Sequence, residues 1–178
     1  MSNKTAVLLM AYGTPRSPEE ILPYYTDIRR GRPPTEEQLS DLKARYDAIG
    51  GISPLAARTE AQRDALQRAL DNVAPDKFTV QLGLKHAHPM IEETVDDLAR
   101  QGIKNIVALV LAPHFSSYSI GQYVGRAQAA AEPHGITVVG VESWAIEPAF
   151  IDFLATDMAA KKAAMPERTR VLFTAHSL

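Results

Sequence analysis

The stretch TAVLLMAYGTP, residues 5–15, sets the fold class of this chain. Its run of β-branched and aliphatic residues ends at Gly13 and Pro15, which is typical of a buried strand followed by a turn. Four more short runs of the same kind follow: FTVQLGLK (78–85), KNIVALVLAP (104–113), ITVVGVES (136–143) and RVLFTAHS (170–177). The sequence therefore predicts five buried strands.

Segments with helical spacing separate these strands. Capping-box patterns at Thr35 and Thr59 each begin a segment whose apolar residues recur every three or four positions. Pro89 opens a third segment as a first helical residue would, and Gly102 closes it. Two more helices are predicted within residues 119–135 and 147–164. This alternation predicts an α/β fold, a doubly wound and mostly parallel sheet flanked by helices.

Composition narrows the class of protein. The chain has 178 residues, of which 46% are hydrophobic and 22% charged, so a single domain over residues 1–178 is expected. A net charge of -2 gives no electrostatic reason to expect a nucleic-acid partner. The chain has no cysteine, which excludes disulfides and thiolate metal sites within it. The first apolar run is too short for a signal peptide or membrane span, so a cytoplasmic location is predicted.

Several residues that could bind a ligand follow the predicted strands, at the edge where doubly wound sheets place their ligands. Tyr12 follows the first strand, Lys85 and His86 the second, and His176 comes at the end of the last. The third and fourth strands add Pro113, His114, Ser116, Glu142, Ser143 and Trp144. Taken singly, each residue is better explained by a structural hydrogen bond, and His86-x-His88 is a weak metal pattern. Their convergence on one edge favours a ligand site.

The long segment between the first two strands carries a basic cluster. Arg29, Arg30 and Arg32 lie together, and Arg45 precedes Tyr46 further along. The cluster is compatible with a solvated helix end, where cations are favourable. Guanidinium and phenol groups near a sheet edge also suit a flat anionic ligand, since arginine binds carboxylates bidentately and stacks on planar rings. No nucleotide-binding fingerprint follows any strand. The residues alone thus favour a cleft for a flat, carboxylated molecule.

Seven stretches together resemble the ferrochelatase family, in order and with family-like spacing. They are LLMAYGTP, YYTDIRRGRPP, LKARYDAIGGISPLA, GLKHAHP, LAPHFSSYSIGQY, VESW and the terminal TAHSL. The resemblance extends from near the first residue to the last. It implies a lyase of haem biosynthesis that inserts ferrous iron into a porphyrin. It also implies a chelatase-like fold in which two Rossmann-like halves enclose the porphyrin.

The resemblance implies a particular porphyrin as well. Tyr12 stands where members that metallate protoporphyrin usually carry an apolar residue, which resembles the bacterial branch that acts on coproporphyrin III. Tyr12 would then approach the metal as an axial ligand. The family's porphyrin-binding positions correspond to Tyr12, Arg29, Arg45, Tyr46, Ser53 and Tyr123.

His176 corresponds to the family's catalytic histidine and metal ligand, opposite Tyr12 across the macrocycle. His86 is a possible second polar group in the cleft. An imidazole suits both tasks, because it titrates near neutral pH and is an acceptable ligand for ferrous iron. Iron is a substrate in this interpretation, and no tightly bound cofactor is expected.

Family members continue beyond the motif around His176 into a second half that supplies an active-site glutamate. The chain is therefore expected to be the amino-terminal half-domain, with the second half-domain absent, little or no activity alone, and apolar surface left exposed. Two other functions stay open. One is another tetrapyrrole chelatase of the cobalt or sirohydrochlorin type, and the other is a non-enzymatic tetrapyrrole-binding half-domain.

Overall fold

The computed structural model describes residues 4–174 of the chain. Within them, four parallel strands form one sheet in the order β2-β1-β3-β4. The strands are β1 (Thr5–Ala11), β2 (Phe78–Leu84), β3 (Asn105–Val110) and β4 (Thr137–Val141). The helices are α1 (Ile21–Ile28), α2 (Glu36–Ala48), α3 (Leu55–Val73), α4 (Ile91–Arg100), α5 (Ile120–Ala131) and α6 (Pro148–Ala163). The predicted α/β class and parallel sheet are confirmed.

Helices cover both faces of the sheet. On one face, Leu8 and Met10 of β1 are fully buried in a cluster with apolar side chains of α4 and α5. On the other face, Leu9 belongs to a cluster that packs against Leu66 and Leu70 of α3. Successive side chains of a strand point to opposite faces, which explains this division. Because β1 is central and buried on both sides, its carboxyl end lies in the middle of the sheet edge.

The predicted start of α3 at Thr59 is wrong. The helix begins at Leu55, whose backbone N–H donates to the hydroxyl of Ser53 at 3.2 Å. Thr59 lies inside the helix and donates its own hydroxyl to the Leu55 carbonyl at 2.8 Å. The Ser53 hydroxyl therefore satisfies one N–H at the helix start, where the cap position is Pro54, and the threonine hydroxyl is used within the helix.

The other two predicted helix starts have different outcomes. The capping box at Thr35 is confirmed, since the Gln38 N–H donates to the Thr35 hydroxyl at 3.3 Å and the Thr35 N–H to the Gln38 amide oxygen at 3.0 Å. Helix α4 begins after Pro89 rather than at it. Met90 is still extended there and donates its N–H to the Glu93 carboxylate at 2.7 Å, which satisfies the helix end.

The predicted fifth strand is wrong for the part that the structure describes. Residues 171–174 form no strand, and Leu172 and Phe173 are 83% and 82% exposed. Within the described part of the chain, no backbone hydrogen bond joins this segment to β4. An apolar run forms a strand only where a neighbouring backbone pairs with it. Residues 175–178 of the same run lie outside the described residues.

Helix α6 is only loosely integrated into the fold. None of its residues is buried, and Phe153 is 65% exposed. Val139 of the neighbouring edge strand is 61% exposed as well. Apolar side chains are thus exposed both on α6 and on the edge strand β4. Across the described helices, none combines the length and apolar character needed to cross a membrane.

Candidate functional site

A cleft of about 430 Å³ opens at the carboxyl edge of the sheet. This volume is within the usual range of small-molecule sites, roughly 300–1,000 Å³. The cleft is lined by Ala11, Tyr12, Leu55, Arg58, Thr59, Gln62, Val110, Leu111, Ala112, Ser119 and Tyr123. Burial raises the pKa of Tyr123 to about 12, so its phenol stays protonated. The ends of β1 and β3 therefore meet the starts of α3 and α5 around one cavity, which brings Tyr12 and Tyr123 together.

The turn after β1 positions Tyr12, which is 44% exposed. Gly13 follows it with a φ of +88°, and a Cβ at this position would lie 2.8 Å from the Cβ of Ala87. Only glycine combines this left-handed backbone with such a close approach. The Gly13 carbonyl also accepts a hydrogen bond from the Tyr24 hydroxyl at 3.4 Å. The direction in which Tyr12 leaves the sheet is thus fixed by its neighbours.

Tyr46 of α2 reaches the same turn. Its hydroxyl lies 3.3 Å from the hydroxyl of Thr14, which is buried. Burial raises the pKa of the nearby Tyr24, and the interactions with Tyr46 and Tyr12 add to this effect. Tyr24 of α1 and Tyr46 of α2 therefore both reach the turn after β1.

His86 contacts Tyr12 from the end of β2. The two ring centroids are 4.5 Å apart at an interplanar angle of 58°, and His86 Nδ1 lies 2.6 Å from Asp27 Oδ2. Burial lowers the pKa of His86, Asp27 opposes that change, and Lys85 and Arg126 add to the lowering. The neutral imidazole is therefore favoured at neutral pH. If Nδ1–H donates to the carboxylate, Nε2 keeps a lone pair for a proton or a metal.

A second polar cluster links the end of β2 to α4 and α5 through hydrogen bonds of Arg126. Arg126 donates to both carboxylate oxygens of Glu92 at 2.7 Å and to the Lys85 carbonyl at 2.8 Å. The Lys85 ammonium lies 5.1 Å from the centroid of the Tyr123 ring and donates to Gln122 at 2.8 Å. The hydrogen bonds from Arg126 hold the pKa of Glu92 below its usual range, and burial lowers the pKa of Lys85. A cation is thus fixed beside a cleft tyrosine.

Four predicted porphyrin-binding residues do not line the cleft. Tyr46 contacts Thr14 beside it. Arg29 follows α1, with its guanidinium 5.6 Å from the centroid of the Tyr25 ring. Arg45 is exposed on α2 and pairs with Asp41 at 2.6 Å. The Ser53 hydroxyl accepts the N–H of Leu55 at the start of α3.

The predicted histidines do not form a common metal site in the described structure. His86 contacts Asp27, whereas Nδ1 of His88 lies 2.8 Å from the carboxylate of Glu93. Over residues 4–174, no group of three or more His, Asp or Glu side chains is arranged to hold a metal ion. His176, the predicted metal ligand, lies outside this part of the chain.

Three residues near the cleft were not predicted. Asp27 and its partner His86 are 59 positions apart, so local spacing carries no signal for them. Arg126 follows Tyr123 by three positions on a helix, a spacing that puts both on one side and could have been used. Arg58 is a cation in the first turns of α3, where the helix dipole disfavours positive charge. The helix start predicted at Thr59 leaves Arg58 outside the helix, so the sequence carried no signal for this position.

Comparisons with known proteins agree with the resemblance in the sequence. The family model described as Ferrochelatase matches residues 4–178. The chain is 50% identical over 180 residues to a coproporphyrin III ferrochelatase of Oceanobacillus iheyensis, covering 98% of this chain and 58% of that protein. Proteins of the same name from Geobacillus kaustophilus and Staphylococcus epidermidis are 48% and 45% identical, over 58% and 60% of their lengths and all of this chain. The chain thus spans about three fifths of these curated relatives.

Proposed function

Because the chain belongs to the ferrochelatase family, we propose that it binds coproporphyrin III and takes part in inserting ferrous iron into that ring. The observation that carries the proposal is the contact between Tyr12, which lines the cleft, and His86, whose ring centroid is 4.5 Å away. A phenol in the cleft lining and a neutral imidazole packed against it would supply a metal ligand and a proton acceptor. Iron enters this scheme as a substrate.

The lining of the cleft supports a flat ligand with polar edges. Leu55, Leu111 and Tyr123 offer apolar and aromatic surface for a conjugated ring. Coproporphyrin carries four propionates, so it needs cations and hydroxyls around that surface. Arg58 lines the cleft, and the Lys85 ammonium lies over the Tyr123 ring. Binding the carboxylates while packing the ring would favour a buckled macrocycle, as binding energy remote from the reacting centre can do.

Proton removal is the step to which His86 is suited. A free-base porphyrin holds two N–H protons inside the ring, and both must leave before the metal is bound. The imidazole is neutral at neutral pH because burial lowers its pKa, so it is ready to accept a proton. The carboxylate of Asp27, 2.6 Å from Nδ1, would stabilise the imidazolium that forms. The proposed transfer is therefore of one proton from a pyrrole nitrogen to Nε2 of His86, and the second proton would pass to His176, the catalytic residue that the family resemblance implies.

Tyr12 and His176 are proposed to meet the metal from opposite faces of the macrocycle. Burial and the nearby Asp27 raise the pKa of Tyr12, so it would act as a neutral phenol unless the metal itself displaces the proton. The role of His176 as ligand and catalytic residue rests on the family resemblance.

An anaerobic absorbance titration tests the proposal. Coproporphyrin III is added to the chain, binding is followed at the strong near-ultraviolet band, and ferrous iron is then added while the visible bands report metallation. We expect saturable binding by this chain alone. We expect rapid metallation once the part of the Oceanobacillus iheyensis relative that this chain does not match is supplied in trans.

Two variants assign the roles. His86→Gln should keep binding and slow metallation, whereas Tyr12→Phe should keep binding and change the visible spectrum of the iron complex through loss of an oxygen ligand. Absence of porphyrin binding would refute the proposed function. Binding without metallation under both conditions would favour a non-enzymatic tetrapyrrole-binding domain, and tighter binding of sirohydrochlorin would favour a different chelatase.

A further inference from the structure

Among the described residues that line the cleft, Arg58 is the one with a formally charged side chain. The remaining lining is apolar, aromatic, hydroxyl or amide in character. Gln62 lies one helical turn further along α3 and lines the same cleft. The Arg58 guanidinium is therefore the cationic group in the described wall of the cleft, while the Lys85 ammonium lies outside that lining, 5.1 Å from the centroid of the Tyr123 ring.

No protein group neutralises Arg58 within residues 4–174. Two nearby arginines do have acidic partners: Arg16 pairs with Glu60 at 2.8 Å and Arg63 with Asp64 at 2.6 Å. In the same described part, no carboxylate lies within ion-pair distance of Arg58, and no hydrogen bond holds its guanidinium. Its five donors are therefore available to a ligand.

The position of Arg58 near the start of α3 does not stabilise the helix. Helix α3 begins at Leu55, so Arg58 lies in the turns where the partial positive charge of the helix dipole repels a cation. An anion bound at its guanidinium would remove this repulsion. It would also gain from the same dipole, because both attract negative charge. The arrangement is unfavourable in the empty protein and favourable once a carboxylate is present.

We infer that Arg58 binds a carboxylate of the ligand in this cleft, with the Gln62 amide as a neutral donor beside it. A guanidinium can hold both carboxylate oxygens through two parallel hydrogen bonds, which also fixes the rotation of a flat ring about its normal. This inference rests on the proposed function and deepens it. It assigns one ring-edge carboxylate to α3, away from Arg29 and Arg45.

The test compares two ligands and three variants. The ligands are coproporphyrin III and its tetramethyl ester, which has the same ring and no negative charge. The variants are Arg58→Gln, Arg58→Lys and the control Arg68→Gln, which alters an exposed arginine on the same helix outside the cleft lining. Fluorescence quenching gives each dissociation constant, and circular dichroism verifies that every variant is folded.

Loss of a partly solvated charged hydrogen-bond pair should raise the dissociation constant of the free acid about tenfold in Arg58→Gln. We expect an intermediate value for Arg58→Lys, which keeps the charge without the fork, and wild-type values for Arg68→Gln. Ester binding should be the same in all four proteins. Added salt should weaken acid binding by the wild type more than by Arg58→Gln.

Each result has a defined meaning. Acid binding by Arg58→Gln within twofold of wild type would overturn the inference while leaving the proposed function intact. An equal loss for acid and ester would also overturn it, because the side chain would then act through shape. If the wild type binds neither ligand, the proposed function itself fails, and the assignment of Arg58 fails with it.

Discussion

His86 Nδ1 lies 2.6 Å from Asp27 Oδ2, although 59 positions separate the two residues in the chain. The imidazole is 13% exposed and the carboxylate 45% exposed, so the pair bridges the protein interior and the solvent. Burial lowers the pKa of His86 and the carboxylate partly offsets this change. The result is a side chain that is neutral at rest and has a stabilising partner when it accepts a proton.

Replacing Asp27 should move the titration of His86. In Asp27→Asn, the carboxylate that raises the pKa of His86 is gone, while burial, Lys85 and Arg126 still lower it. The pKa should therefore fall further below its ordinary value of 6.5. Titration of the His86 ring protons by NMR measures the shift. Glu93→Gln breaks the equivalent contact of His88 and serves as the control, with no change expected at His86. An unchanged or higher pKa in Asp27→Asn would contradict the prediction.

The lowered pKa of His86 also predicts how stability depends on pH. Since the folded value is below the unfolded value, the unfolded chain binds more protons, and stability falls as pH drops below about 6.5. Urea unfolding at several pH values between about 7.5 and 5.5 measures this loss. His86→Gln removes the titrating group, so its stability should depend less on pH over the same interval. A steeper dependence in the variant would mean that the assigned direction is wrong.

The hydrogen bonds of Arg126 should contribute to stability. Arg126→Met keeps most of the side-chain volume but loses three bonds, two to Glu92 and one to the Lys85 carbonyl. The two side chains are 31% and 46% exposed, so we expect a loss of about 1–2 kcal/mol in the free energy of unfolding. Arg100→Met, which breaks a surface pair with Asp97 on α4, should change it by less than about 0.5 kcal/mol. Equal losses in the two variants would show that the hydrogen bonds of Arg126 contribute no more to the free energy of unfolding than an exposed ion pair does.

The turn that positions Tyr12 can be tested at Gly13. In Gly13→Ala, a side chain must adopt a positive φ and its Cβ would approach Ala87 to 2.8 Å, so we expect a loss of about 2–4 kcal/mol. Gly125→Ala on α5 is the matched control, because no atom lies within 4 Å of the added Cβ and alanine favours a helix. It should stabilise the protein by about 0.5–1 kcal/mol. Thermal and urea unfolding of both variants measure the difference, and a stable Gly13→Ala protein would mean that the turn can relax.

Local pattern was sufficient for most of the fold. The apolar runs behind β1 to β4 predicted their strands because each is buried against neighbours that the alternation of strands and helices supplies. The run around Phe173 has the same composition, yet its described residues have no pairing partner and form no strand. Composition identifies what a segment can form, and only the surroundings determine whether it does. Thr59 is a second example. Its capping pattern predicted a helix start, but the helix already begins at Leu55, whose N–H donates to the Ser53 hydroxyl.

The candidate site was less predictable, because its contacts join distant segments. The edge rule of parallel sheets indicated Tyr12, which follows a strand end, whereas Tyr123 was indicated only by the family resemblance. Asp27 faces His86 only because the long segment after β1 folds back beside the end of β2. Arg58 was overlooked for a local reason. A helix start predicted at Thr59 put it outside the helix and hid its unfavourable position relative to the dipole.

The exposed apolar side chains of α6, Leu172 and Phe173 should make the chain self-associate. Leu172 and Phe173 are more than four fifths exposed, and Phe153 of α6 is 65% exposed. Exposed apolar surface of this kind promotes association. Sedimentation velocity should show association that increases with protein concentration, and an environment-sensitive dye should bind to the wild type. The double variant Leu172→Ser and Phe173→Ser should reduce both signals. Val73→Ser, at an isolated residue that is 79% exposed at the end of α3, should change neither. A monomer that binds no dye would contradict the prediction.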